Sequence, residues 1–335
     1  MLEIDGSVGE GGGQVLRTAL SLSCMLQSGV RISNIRAGRQ KPGLGRQHLA
    51  VVNALAKICN ARVSGATIGS PCVEFEPGKM RGGRHEFDIG SAGSVTLLAQ
   101  AVLPPLCMAE AQSEILLTGG THVKGAPFFD YFKEVFLPHA KKFGVDAQVR
   151  LLRAGFYPRG GGKMLLGVKP SRFVPADILQ QECGGAGCRI YSCGLPAHVA
   201  TREEEGVSAA FAAAGEKIAI ETVECDAANE GNAVAIWGSG MGACALGKRG
   251  KRAQSVAAEA AGFYLKEKNS TAGVDLHCCD QLLLYMAAAK GNCRISASAI
   301  SAHTRTNMQV IEKFGIGKFE VGQSGKNFII ESRVA

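Results

Sequence analysis

Aromatic side chains are scarce in this 335-residue chain: one tryptophan and five tyrosines contribute to an aromatic fraction of only 6%. No aromatic ribonucleoprotein motif appears, so sequence-specific reading of nucleic-acid bases is not expected. Long apolar runs are missing too. The stretch SVTLLAQAVLPPLCMAEA (94–111) is interrupted by polar residues and paired prolines, so it does not read as a membrane span. The opening MLEIDGSVGE lacks the cationic-then-apolar order of a leader. Cysteine is present 12 times but without regular spacing, which argues against a secreted disulfide scaffold and makes a reducing cytoplasm the expected setting. Cys183, Cys188 and Cys193 keep a five-residue step, yet no fourth ligand stands nearby; free thiols rather than zinc are expected there.

What is present is ordinary for a folded protein: 46% hydrophobic and 20% charged residues, in a chain long enough for two domains. The 44 glycines are scattered in small clusters between periodic segments and read as loop chemistry. A formal net charge of +8 favours an anionic partner such as nucleic acid or nucleotide, without establishing one.

The order of elements hides a repeat. A strand at 2–6, a helix at 14–27, a strand at 30–36, a helix at 46–59 with Leu49, Val52, Ala56 and Cys59 on one face, and strands at 62–67 and 73–76 give β-α-β-α-β-β. The same succession returns from residue 86 as EFDIG, helix 93–109, EILLTGG, helix 128–143, DAQVRLL and KMLLGV. Near the C-terminus, helix 276–290, CRISASA, helix 303–314, KFEVGQS and NFIIESRV form a third copy that lacks only its opening strand, expected upstream of an insertion. The fold class is therefore α/β: three repeated units in a large domain, 1–183 and 276–335, with a small inserted α/β domain at 184–275 whose strands read as CRIYSCG, KIAIETVE and NAVAIWGS and whose helices as 203–214 and 253–267.

Loops between a strand and a helix carry glycine with polar or cationic residues: GEGGGQ (9–14), RAGRQKPGLGRQH (36–48), GSAGS (90–94), GGTHVKGAP (119–127) and SAHTRTN (301–307). Helix N-termini offer unpaired N–H groups, and Gly11, Gly12 and Gly13 would let phosphate approach the backbone. GEGGGQ matches neither the P-loop nor the dinucleotide fingerprint, and a glycine run before a helix also serves as a plain turn. Glu10 among those glycines cannot bind phosphate directly, but suits a Mg²⁺ or Mn²⁺ that bridges phosphates. Arg36, Arg39, Lys41, Arg46 and His48, with Gln47, form either a solvated basic loop or a phosphate clamp, and Arg17 points to the same end. His303 at a helix start is either part of a cap with Ser301 and Thr304 or a nucleophile kept neutral by the helix N-terminus. Asp280 could orient its other nitrogen or help hold metal.

Taken together, DGSVGEGGGQVLR, IRAGRQKPGLGRQHL, IGSAGSVTLLAQ, RAGFYPRGGG and HTRTN closely resemble the RNA 3′-terminal phosphate cyclase family, over a span from residue 3 to the last strand. The resemblance implies a fold similar to enolpyruvyl transferases. It further implies ATP-dependent conversion of an RNA 3′-phosphate into a 2′,3′-cyclic phosphate through a covalent histidinyl-AMP. His303 falls at the nucleophile, Glu10 at the metal-binding acid, and Arg17, Arg36, Arg39, Gln47 and His48 around the reacting phosphates. Gln100 and Asp280 match further active-site positions, and Pro127 the proline packed against adenine. His277 stands where well-known members have a tyrosine on the other adenine face, which leaves less stacking area.

RNA with a 3′-phosphate end is thus the expected partner, ATP the co-substrate, and no membrane or obligate protein partner is called for. The family also contains a non-catalytic ribosome-assembly branch that lacks the histidine, so His303 favours the enzyme over a binding module. The basic run GKRGKRAQS (247–255) reads as a backbone contact or as a solvated loop.

Overall fold

The computed structural model describes residues 1–333. Its first unit comprises β1 (Leu2–Asp5), α1 (Gly13–Leu26), β2 (Val30–Ser33), α2 (Arg46–Cys59), β3 (Arg62–Ser64) and β4 (Val73–Glu76). The second begins with β5 (Gly83–Asp88), α3 (Val95–Cys107), β6 (Ser113–Gly119) and α4 (Phe129–Tyr131). That helix runs through a π-helical stretch, Phe132–Phe136, into α5 (Leu137–Lys142), and β7 (Asp146–Arg153) and β8 (Gly162–Lys169) complete the unit. The third opens with β9 (Asp177–Ile178) and, after an insertion, resumes with α8 (Leu276–Ala288), β14 (Cys293–Ala297), α9 (Ala302–Lys313), β15 (Lys318–Ser324) and β16 (Asn327–Arg333). The insertion holds β10 (Ala186–Cys193), α6 (Ala197–Ala213), β11 (Ile218–Glu224), β12 (Gly231–Gly238), β13 (Met241–Leu246) and α7 (Ala253–Ser270).

Hydrogen bonding repeats as faithfully as element order. The sheets run β1-β2-β4-β3, β5-β6-β8-β7 and β9-β14-β16-β15. In each, the first pair is parallel and the other two antiparallel. A parallel pair needs a crossover, and α1, α3 and α8 supply it in the three units. Strand β9 is the missing opening strand of the third unit; at two residues it is too short to leave a periodic signature.

Each sheet turns one face inward, as the alternating burial along β8 shows. The helices fill the inside. Helix α1 is buried on nearly every side, from Val15 and Leu16 to Leu22 and Met25, and packs on α2, α3 and α9. A helix buried all round belongs in an interior, and here it joins the three units.

The insertion has a four-stranded sheet, β11-β10-β12-β13, on which α6 and α7 enclose Val207, Phe211, Ile236 and Tyr264 in a core of their own. Two local expectations are corrected. Helix α6 starts at Ala197 rather than at 203, because polar side chains at 201–205 blur its apolar period. Strand β13 (MGACAL) went unforeseen because alanine and glycine carry little strand preference.

Cys193 is also not a free thiol. It is bridged to Cys225, with Cα atoms 5.0 Å apart. The parallel register of β10 and β11 sets Ser192 beside Glu224, so the next residue of each strand meets its counterpart across 32 positions of sequence. Cys183 and Cys188 remain free.

One buried carboxylate ties these parts together. Asp275 caps α8 by accepting from the N–H groups of His277 and Cys278, both at 2.8 Å. It also accepts from the Tyr131 hydroxyl of α4 at 2.6 Å and from Gly242 N of β13 at 3.0 Å. Asp275→Ala should therefore lower unfolding free energy by about 3 kcal/mol or more, combining a lost cap with two buried donors left without partners. Chemical denaturation of both proteins measures this, and a loss below about 1 kcal/mol would contradict the bracing role.

Candidate active site

Two helices enter the site without side-chain caps. Gly12 precedes α1 and Gly45 precedes α2, and neither end has a side chain to satisfy its first N–H groups. By contrast Ser94, Asp275 and Ser301 cap α3, α8 and α9. The two open ends face each other. A Cβ on Gly13 would stand 2.1 Å from His48 Nε2 and 3.2 Å from Arg17 Nη1, so only glycine admits this approach. Arg39 lies across the same turn, its guanidinium 3.0 Å from where a Gly12 Cβ would be.

His303 sits in the first turn of α9, and the cap there is Ser301, whose hydroxyl accepts from Thr304 N at 2.9 Å. The imidazole is thus free for other work. Its Nδ1 lies 2.8 Å from Gln14 Oε1 and 2.9 Å from Glu10 Oε2. Both partners accept, so the proton belongs on Nδ1 and the lone pair on Nε2. Gln14 is itself oriented: its Nε2 donates to Asp280 Oδ2 at 2.6 Å. Asp280 therefore reaches His303 through Gln14 rather than by direct contact.

Burial is the main cause that lowers the His303 pKa; Glu10 opposes it, while Arg17, Arg39 and His277 add to it. The ring is neutral at neutral pH. Burial pushes Asp280 up to about 7 against the pull of Gln14 and Arg17, and pushes Arg17 down to about 10. His48 is lowered to about 3 by burial, then by Arg17, Arg36 and Arg39. Its Nδ1 has no hydrogen-bond partner. An orphaned polar atom ringed by three guanidinium groups is a pocket made for an anion.

The remaining side chains are partly engaged. Arg36 turns back on its own loop, donating to Gly43 O at 2.8 Å. Gln47 accepts from Ser94 N at 3.0 Å, joining the first unit to the start of α3. Gln100 on α3 donates to Gln281, which in turn donates to His277 O at 2.7 Å. Pro127 precedes α4 and its carbonyl accepts from Thr96 Oγ1 at 2.6 Å. His277 is exposed on one face and stacked on the other against Phe263 of α7, with centroids 5.1 Å apart and planes 16° from parallel. Among the described residues no three His, Cys, Asp or Glu side chains gather around a metal position. A single carboxylate, Glu10, fits a cation held mostly by phosphate oxygens and water.

A family model described as RNA 3′-terminal phosphate cyclase matches residues 8–321. The chain belongs to the RNA 3′-terminal phosphate cyclase family. Relatives carrying that name include one from Archaeoglobus fulgidus, 42% identical over 99% of this chain and 100% of its own length. Another, from Methylococcus capsulatus, is 41% identical over 96% of this chain and 93% of its own. Among solved structures, the enolpyruvyl transferase NikO from Streptomyces tendae is similar over 98% of this chain and 47% of its own length, at 10% identity and a TM-score of 0.39. That likeness is too slight to argue from, and the three-unit architecture rests on the sheets themselves.

For a member of the cyclase family, the sequence reading passed over three side chains. Gln14 closes the GEGGGQ turn, but its role needs Asp280, 266 residues away. Phe263 carries no signal short of the folded α7, and Asp275 was visible only as a capping residue type before a helix.

The electrostatics of His48 set a pH test. Its folded pKa is below the ordinary value, so between about pH 6.5 and about 3 the unfolded chain holds a proton that the folded chain does not. Stability from this group is complete above 6.5 and drains away as pH falls. His48→Asn should flatten the acid-side slope of unfolding free energy by up to about 1.4 kcal/mol per pH unit. Urea titrations from pH 7 to 4 read it directly, and equal slopes would mean that His48 is not held neutral.

Proposed function

We propose that this enzyme converts an RNA 3′-terminal phosphate into a 2′,3′-cyclic phosphodiester at the expense of ATP, with His303 as the nucleophile. The observation that carries the reading is the neutral imidazole whose Nδ1 is engaged by Gln14 and Glu10, leaving Nε2 as the nucleophilic atom, with Arg17 and Arg39 nearby. Nε2 attacks the α-phosphorus of ATP; an N–P bond forms, the α–β bridging P–O bond breaks, and pyrophosphate leaves. An oxygen of the RNA 3′-phosphate then attacks the same phosphorus, the N–P bond breaks, and the activated end RNA-(3′)pp(5′)A is made. Finally the neighbouring 2′-hydroxyl loses its proton and attacks the 3′-phosphorus, and AMP departs.

Activation is needed because a terminal phosphate dianion has no leaving group, whereas its anhydride with AMP has a good one. Arg17, Arg36 and Arg39 would bind the phosphates in forked pairs and offset charge on the leaving pyrophosphate. The uncapped N–H groups after Gly12, with Gly11 and Gly13, would cradle a phosphate at the α1 dipole. Gln47 and His48 would meet the RNA phosphate from the α2 end. Glu10 would hold Mg²⁺ or Mn²⁺, which would offset negative charge on the phosphates. Pro127 and the free face of His277, with Gln100 nearby, would receive the adenine.

Incubation with ATP labelled at the α-phosphate should give a protein adduct that is labile to acid and stable to alkali. His303→Ala should abolish it, and Gln14→Ala should slow its formation about 10- to 100-fold by freeing the ring to rotate. Undiminished labelling of His303→Ala would exclude this nucleophile. A 3′-phosphorylated oligonucleotide whose terminal sugar is 2′-deoxy should accept the adenylate and stop there, because nothing remains to close the ring; release of AMP from that end would contradict the last step.

A further inference from the structure

The motif RAGFYPRGGG (153–162) has no part in the chemistry above, yet the fold makes a rigid shelf of it. Phe156 points inward, 3% exposed, and its ring lies 5.4 Å from that of His122 at an interplanar angle of 22°. The next residue points outward: Tyr157 is 78% exposed, the one aromatic among the exposed large apolar side chains of the described residues. Scattered exposed apolar residues are ordinary, so exposure alone means little.

What distinguishes Tyr157 is its mounting. Its carbonyl accepts from Asn229 Nδ2 at 3.0 Å, and Arg159 N donates to Asn229 Oδ1 at 3.4 Å. Arg159 Nη1 donates to Ala228 O at 3.2 Å, and Gly160 N closes the turn on Phe156 O at 2.7 Å. The backbone that carries the ring is therefore held before any ligand arrives.

The shelf is continuous with the phosphate pocket. Gly160, with φ of +70°, lies so close to the 90–94 loop that a Cβ there would be 2.8 Å from Ala92 Cα. The same loop touches Gln47 through Gly93 and Ser94, and Gln47 adjoins His48. Arg46 spans to it as well, donating to Gly90 O at 2.9 Å. Arg46 and Arg159 are both exposed, and neither pairs with a carboxylate among the described residues.

We propose that Tyr157 is a stacking platform for a base of the RNA strand upstream of its 3′-phosphate, with Arg46 and Arg159 alongside the backbone. This rests on the cyclase reading, which supplies the strand. Every base has a π-face, so such a platform holds RNA without selecting sequence. It also accords with a chain that has no base-reading motif.

Fluorescence anisotropy with a 3′-phosphorylated, labelled oligoribonucleotide tests it, since binding is measured whether or not the RNA is turned over. Tyr157→Ala should weaken binding about 5-fold or more, while Tyr157→Phe should bind like the parent. An abasic site walked through the nucleotides before the 3′ end should weaken binding to the parent at one position, and that penalty should vanish in Tyr157→Ala. A Kd for Tyr157→Ala within about twofold of the parent, at equal thermal midpoint, would overturn the platform, as would an abasic penalty that persists in the variant. Absence of the α-phosphate label on the parent protein would count against the cyclase reading alone, since the anisotropy result stands independently of it.

Discussion

Helix α1 is buried on almost every side, and the need to enclose it determines where the site can be. Enclosure takes α2 from the same unit, α3 from the second and α9 from the third. Hydrogen bonds fix the angles: Thr18 Oγ1 donates to Asn307 Oδ1 at 2.7 Å, and Ser21 Oγ to Ala101 O at 2.7 Å. The N-terminal end of α1 faces the site. There the loops 36–48, 90–94 and 301–303 converge, because each joins a strand of its sheet to a helix packed around α1. Gln14, in the first turn, touches both Asp280 and His303 as a consequence of burying Val15 and Leu16 one and two residues later.

The same convergence concentrates charge of one sign. Arg17, Arg36 and Arg39 crowd His48, and the acids set against them are Glu10 and Asp280, the second of which is itself held back from ionising by burial. Such a cluster costs stability in the free protein, since desolvation lowers the pKa values of Arg17 and Arg36 as well. A bound polyanion would relieve it. Function therefore takes stability from the pocket, and the large apolar core around α1 offsets that loss.

Legibility in the sequence followed distance along the chain. The β-α-β-α-β-β order could be read because each element carries its own period, and the boundaries of α2 and β15 match those expected. Elements without a period, the two-residue β9 and the alanine-rich β13, could not. The pairing of Cys193 with Cys225 depends on strand register, and the stacking of His277 on Phe263 depends on how α7 docks; no local pattern encodes either. Glu10 and His303 were each ambiguous alone, a turn residue and a cap residue. Their 2.9 Å contact brings the two together, and it exists because the first and third units share α1 as a common partner.

Three of the ties between the insertion and the rest of the chain reach helices α4 and α8. Gly242 donates to Asp275 at the start of α8, and Arg189 pairs with Asp130 of α4, which also faces the buried His122. Phe263 backs His277. All three end on α4 or α8, the helices whose starts carry Pro127 and His277, and none ends on the glycine turn or the arginine loop. Under the proposed reading these three ties shape the nucleobase side, while Ala228 and Asn229 of the insertion hold the turn at 157–159. This bears on the exchange of a tyrosine for His277. The imidazole offers less area, but its ring is held flat by Phe263 and its backbone by Asp275 and Gln281, so less rotamer freedom is lost when a purine settles on the open face.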